Sequence, residues 1–457
     1  MSPLNKEIFR LALPSILANL TIPLVGMVDM AIAGHLDTSA AALIGGISVG
    51  SLMFDMMYWN FGFLRAGTGG LTAQAFGRED WHECGANLFR GIGAALIISV
   101  FLILIQWPFQ KFIFLFVDCS DEVRSLALKY FYIRIWAAPA TLSLMTLRGW
   151  FIGMQDAFSS MLTDVVANGV NILASIILAV GLPWPTFDGI GFTGIAWGTF
   201  IAQYSGLLFA TAIILLRYSK IVISSFQQRR QTKAVSDSEP STYLKQFFTV
   251  NGDLFIRSLC LMTVYLAFTS ISARFGDTYL AMCSIMMKLM LIFSYFTDGF
   301  AFAGEALVGR FFGRKDRFAV SQSVKWTFIW SMGIGLFFIG IYSVAGVPMF
   351  RMMTSDSSVV DAARAFIPWL VVIPLLGCPA FTWDGIYTGA TATKEMRDAN
   401  IGCVIAFFVV WLSGLLLSRD SSLSFRVHLL FAAYYAHLIF RSLYQTAKYK
   451  GAILNRI

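Results

Sequence analysis

Charge is what this sequence has least of. Asp, Glu, Lys and Arg make up 13% of its 457 residues, against 57% hydrophobic residues, and the mean hydropathy is +0.69. So little charge cannot solvate a globular surface, which excludes a soluble domain. Histidine is scarce and scattered. The four residues, at 35, 82, 428 and 437, lie far apart, and no HExxH string occurs. A metal-hydrolase centre, or a nucleophile activated by an imidazole, is therefore unsupported. The chain is expected to be no enzyme and to need no metal or cofactor. Six cysteines, at 84, 119, 260, 283, 378 and 403, include no CxxC pair, which excludes a thiolate site and a disulfide framework. Long polar stretches are missing too, with one exception at 217–243.

What is present is hydrocarbon. Runs such as 92–105 (IGAALIISVFLILI), 205–216 (SGLLFATAIILL) and 403–417 (CVIAFFVVWLSGLLL) reach, with their flanks, the roughly 20 residues a helical span needs. About twelve spans are expected, near 8–34, 44–74, 88–116, 125–152, 160–182, 190–216, 244–274, 280–309, 322–347, 361–388, 397–418 and 424–446. The formal charge of +8 raises nucleic acid as a partner, and the distribution of charge dismisses it. Lys and Arg gather at 78, 90, 217, 220, 229, 230, 233, 310, 314, 315, 317, 394, 397, 448, 450 and 456. With twelve spans and a cytoplasmic N terminus these all fall on one face, as the positive-inside rule asks. The partner is the lipid bilayer. The expectation is a multi-pass protein of the inner (plasma) membrane with both termini cytoplasmic and the first span retained.

The polar stretch 217–243 (RYSKIVISSFQQRRQTKAVSDSEPSTY) reads as a cytoplasmic linker between lobes at 1–216 and 244–457. The two halves repeat. LTAQAFGRED (71–80) aligns with LVGRFFGRKD (307–316), and TLRGWFIGMQ (146–155) aligns with TWDGIYTGAT (382–391); both offsets are 236, since 307 − 71 = 382 − 146 = 236. Six spans separate equivalent points, so the lobes share one membrane orientation, the parallel-repeat plan of some secondary transporters. The expected fold is all-α, with two six-helix lobes related by a parallel pseudo-two-fold repeat.

The stretches LALPSILANLTIPLVGMVDMAIAGHL (11–36), GLTAQAFG (70–77), IRIWAAPATL (133–142), GWFIGMQDA (149–157) and DGFAFAGEALVGRFFGRKD (298–316) resemble the DinF-like branch of the multidrug and toxic compound extrusion (MATE) transporters. The likeness runs over essentially the whole chain. It implies a cation-coupled antiporter that exports small, amphipathic, often cationic organic compounds.

One acid carries the coupling argument. Asp29 stands alone in PLVGMVDMAIAGHL (23–36), where a charge costs a few kcal/mol even on insertion scales. Desolvation disfavours the charged form of a carboxylate, so an acid at this depth can hold H+ and release it to water or to an arriving cation. The resemblance implies the same role for Asp29. Pro14 and Pro23 in the same span each remove an N–H, which lets the helix bend. Arg65 and Arg134 are the N-lobe cations that could pair with Asp29 or modulate it. Asn168, Asn171 and Ser175 offer neutral oxygens. Relatives with an acid four residues after the fifth-span Asn would have it where this chain has Ser175, which favours H+ over Na+ as the coupling ion. Opposite Asp29 the second half places Tyr265 or Phe268, so the lobes are chemically unequal. That half holds Asp298 and Glu305, seven residues apart on one helix face, either receiving substrate or, for Glu305, pairing with Arg310. Asp384 falls near the cytoplasmic end of the tenth span, where charge is cheaper. Tyr58, Trp59, Trp136, Met286 and Met290 are candidates to line a substrate cleft. The competing reading is a lipid-linked oligosaccharide flippase, for which Arg65, Arg134 and Lys288 would meet a pyrophosphate.

Overall fold

A computed structural model describes residues 3–36, 40–115, 117–181, 188–232, 239–354, 356–417 and 422–457. Among these no strand occurs, and seventeen α-helices account for the fold: α1 (Pro3–Leu36), α2 (Ala40–Tyr58), α3 (Phe63–Gly77), α4 (Trp81–Leu104), α5 (Gln106–Ile113), α6 (Asp121–Arg134), α7 (Ala138–Gly153), α8 (Ala157–Val180), α9 (Phe192–Arg217), α10 (Ser219–Thr232), α11 (Glu239–Ala273), α12 (Asp277–Gly313), α13 (Arg317–Met353), α14 (Ser357–Arg364), α15 (Ile367–Gly389), α16 (Thr393–Leu417) and α17 (Leu423–Ala452). In hydrocarbon a helix is the one open segment that satisfies its own backbone.

Among the described residues, eleven helical segments are long and apolar enough to cross a bilayer. The difference from twelve lies in the fourth expected span. There α6 and α7 are separate helices of 14 and 16 residues, joined through a 3-10 turn at Ile135–Ala137 with Pro139 in the first turn of α7, where its missing N–H costs nothing. In the linker, α10 is helical and packed. Ser225 Oγ donates to the His82 carbonyl at 3.0 Å, against the start of α4. Residues 233–238 of the linker lie outside the described residues.

Two compact units emerge: Leu17–Ser241, and Met1–Ile16 with Thr242–Ile457. The first sixteen residues thus cluster with the C-terminal half, and the change of unit falls within α1, between Pro14 and Pro23. Each unit has its own apolar core. Phe54, Phe131, Leu142 and Ile195 lie in the first, and Phe268, Phe293, Phe366 and Phe407 in the second.

The repeat is written in the backbone. Among the described residues, the four non-glycine residues with positive φ are Glu79 (61°), Gln155 (63°), Lys315 (57°) and Thr391 (48°), two pairs each 236 apart. Each ends a helix of the repeat in a left-handed turn. Asp80 caps α4 by accepting from the Glu83 N–H at 2.9 Å, and Asp316 caps α13 from the Ala319 N–H at 2.9 Å, again 236 apart. Helix crossings repeat as well. A Cβ on Gly149 would stand 2.0 Å from the Arg65 carbonyl oxygen, and one on Gly385 would stand 2.0 Å from that of Ala301. Small residues let backbones meet this closely in membranes.

Candidate coupling site

Helix α1 carries Asp29 into the N-terminal unit with 4% of its surface exposed. Its Oδ1 is buried and accepts no hydrogen bond among the described residues. No guanidinium or ammonium among them comes within ion-pair distance of it. Ser175 of α8 lies against the carboxyl group, and the charge acting on it from farther off is that of Arg134. Arg134 is engaged elsewhere: Nη1 donates to the Tyr130 hydroxyl at 2.9 Å, and its guanidinium carbon sits 4.7 Å over the Phe54 ring. A hydrogen bond and a π face hold the cation near the acid without neutralising it.

Helix α8 supplies the neutral oxygens. Asn171 Nδ2 donates to Thr199 Oγ1 of α9 at 3.0 Å, while Asn171 Oδ1 and Ser175 Oγ are buried without hydrogen bonds. Asn168 reaches α1, donating through Nδ2 to Thr21 Oγ1 at 2.6 Å. The close approach of α9 depends on Gly198, where a Cβ would meet Ser175 Oγ at 2.3 Å. Three buried oxygens, on Asp29, Asn171 and Ser175, are thus left as acceptors, a set that a proton or a small cation can satisfy.

Asp29, Arg134, Asn171 and Ser175 fall together in the N-terminal unit. Arg65 is half-buried on α3, where its backbone carbonyl abuts Gly149. Helix α1 continues through Pro14 and Pro23, neither of which has an N–H to give the carbonyl four residues back, at Arg10 and Asn19. In the C-terminal unit Asp298 is half-buried and Glu305 fully buried on α12. Arg310, the partner considered for Glu305, pairs with Glu7 at 3.2 Å. The cleft candidates divide: Met286 and Met290 are packed in the core of the C-terminal unit and Tyr58 in that of the N-terminal unit, whereas Trp59 and Trp136 are 47% and 54% exposed. Residues 46–50 fit G-x-S-x-G by letter, but they lie within α2, and Ser48 donates to the Ile44 carbonyl at 2.8 Å. No nucleophile elbow forms there.

Two charge clusters escaped the sequence. Arg148 of α7 pairs with Asp164 of α8 at 2.5 Å. Asp384 of α15 is paired inside the protein: its side chain is 15% exposed, and Oδ2 accepts from Arg257 of α11 and lies 3.3 Å from Nη1 of Arg441 on α17. The repeat could have flagged this, because 148 and 384 are equivalent and both carry ionisable side chains.

The MatE family model matches residues 14–177 and again 254–418, once in each half. DNA damage-inducible protein F of Escherichia coli (strain K12) is 30% identical over 413 residues, 90% of this chain and 86% of that protein. Multidrug export protein MepA of Staphylococcus aureus (strain MRSA252) is 22% identical over 90% of this chain and 86% of its own. Among solved structures, an outward-facing multidrug resistance MATE family transporter of the MOP superfamily superposes with a TM-score of 0.82 at 16% identity, over 98% of this chain and 96% of that one. Two matches of one family model, 240 residues apart at their starts (254 − 14 = 240), restate the duplication read from the sequence. The chain belongs to the MATE family of multidrug efflux transporters, which are membrane transporters and not enzymes, and within it resembles DinF.

Proposed function

We propose that this transporter is a proton-coupled antiporter that exports amphipathic, often cationic organic compounds by alternating access, with Asp29 as the proton carrier. The observation that supports this is a buried carboxylate with one oxygen unsatisfied and no ion-pair partner. An acid locked to a guanidinium could not exchange H+ with the aqueous phases during a cycle. Asp29 has Arg134 near enough to be felt and too far to bind, so a small shift between α1 and α6 changes the balance between proton retention and release. A membrane potential of 100 mV supplies about 2.3 kcal/mol per charge moved across, so a single proton per cycle drives useful accumulation. Asn171, Ser175 and Asn168 then tune the carboxyl group through its surroundings. Both termini face the cytoplasm of the inner membrane, as the basic loops require.

Sodium is the second reading, favoured by the same unsatisfied oxygens on Asn171 and Ser175. One experiment separates the two: efflux of a fluorescent cationic compound from proteoliposomes carrying an imposed proton gradient, a sodium gradient, or neither. Acceleration by the proton gradient alone is expected, lost in Asp29→Asn while that variant still inserts and stays monodisperse. Wild-type efflux by Asp29→Asn under the proton gradient would remove Asp29 from the mechanism.

A further inference from the structure

We infer that the C-terminal unit holds a binding site for one small inorganic anion of chloride size, built by Arg257, Arg441 and Gln445 around Asp384. Two guanidinium groups meet a single carboxylate there. Asp384 Oδ2 takes both of them, leaving Arg257 Nε and Arg441 Nε as buried donors without hydrogen bonds, beside Asp384 Oδ1 and Gln445 Oε1 as buried acceptors without them and with the Gln445 side chain against the carboxyl group. Arg441 is 1% exposed and Gln445 0%. Among the described residues, the other ionisable groups that feel the cluster are Cys403 of α16, with Cys260 of α11 beside it, and Tyr434 and His437 of α17. Thiols and phenols carry no negative charge at their ordinary values, and a proton on His437 would only add to the surplus. One positive charge therefore stays uncompensated among packed helices, a costly arrangement in low dielectric.

The N-terminal unit shows the balanced version of the same place. At 384 − 236 = 148, Arg148 meets one acid, Asp164, at 2.5 Å. The counterpart of that acid, at 164 + 236 = 400, is Asn400, a buried neutral amide. The C-terminal cluster thus has two guanidinium groups to one carboxylate, where the N-terminal one has one of each. Water can accept from the spare N–H groups but cannot cancel the charge. A spherical anion does both, and burial of Arg441 admits a small ion while excluding an organic one.

The test uses the full chain in detergent, exchanged into chloride-free gluconate buffer and titrated with radiolabelled chloride. One saturable site is expected in the wild type. Arg441→Gln should lose it. Asp384→Asn removes the competing negative charge a few ångströms away and should tighten binding by at least about tenfold. The two variants move in opposite directions, and damage to the fold cannot produce the second result. Absence of saturable chloride binding in the wild type would overturn the proposal, because water alone then fills the site. So would retained binding in Arg441→Gln, or unchanged or weaker binding in a monodisperse Asp384→Asn.

Discussion

Gly149→Ala tests whether the repeat is held together by backbone contact. The added methyl would stand 2.0 Å from the Arg65 carbonyl oxygen and 2.8 Å from its carbonyl carbon. Ordinary carbon-to-oxygen contact begins at about 3.3 Å, so α3 and α7 must separate by roughly 1.3 Å or bend. Both atoms in the clash are main-chain, so no rotamer relieves it. Overpacking of this kind costs about 1–3 kcal/mol, occasionally more, and alanine returns about 1 kcal/mol of helix propensity over glycine. A net loss of up to about 2 kcal/mol follows. Gly385→Ala should behave alike, since its methyl would lie 2.0 Å from the Ala301 carbonyl oxygen. A methyl added at Gly93 in α4 would meet nothing within 4 Å, so Gly93→Ala keeps only the propensity gain. The assay is the fraction of each variant that stays monodisperse in detergent after heating. The expected order is Gly149→Ala and Gly385→Ala together below wild type, with Gly93→Ala at or above it. If Gly149→Ala survives heating as well as Gly93→Ala, the close crossing does not exist.

Asp164→Asn leaves Arg148 without its carboxylate and should cost about 3 kcal/mol, the lower end for a broken buried pair; pairing it with Arg148→Gln should recover most of the heat stability. Asp156 caps α8 and also receives the Tyr218 hydroxyl at 2.7 Å and Arg217 Nη1 at 3.2 Å, so Asp156→Asn should loosen α10 and speed limited proteolysis within 217–243. Pro23→Ala restores a donor for the Asn19 carbonyl and removes a defect worth about 3 kcal/mol in a helix interior. It should raise heat stability and slow efflux without weakening substrate binding, and unchanged efflux would show that bending of α1 is no part of the cycle.

Most of the fold was legible because hydrocarbon imposes it: once a run exceeds membrane thickness, helix is the available answer. The fourth span was harder. The helix in which it begins, α6, carries Asp121, Glu122, Arg124, Lys129 and Arg134, and sequence counts apolar length rather than the 3-10 turn that ends α6. Asp29 was legible because nothing near it in the chain could neutralise it. Arg148–Asp164 and Arg257–Asp384–Arg441 were not, because sequence cannot say which charges meet when partners lie up to 184 residues apart (441 − 257 = 184). Met286 and Met290 sat on a plausible helix for a cleft, but helix position does not reveal which side is core.

The matched positions separate what a duplicated bundle must keep from what it can change. Left-handed turns at Glu79 and Lys315, caps at Asp80 and Asp316, and crossings at Gly149 and Gly385 recur at an offset of 236. Each serves the path of the backbone. One contact even survives an exchange of its residues: Gly91 on α4 meets Thr68 on α3, whereas Thr327 on α13 meets Gly304 on α12. Either order fills the same gap, because only the summed volume is constrained. Charge obeys no such rule. Arg65 answers to Ala301, Gly69 to Glu305, Arg148 to Asp384 and Asp164 to Asn400. With the scaffold held by backbone devices, a side chain facing the interior can change sign without refolding its lobe. On the proposed mechanism, an acid whose proton does the coupling needs to exist only once, and the α1 carboxylate can act alone because the second lobe repeats the backbone devices without repeating the charge.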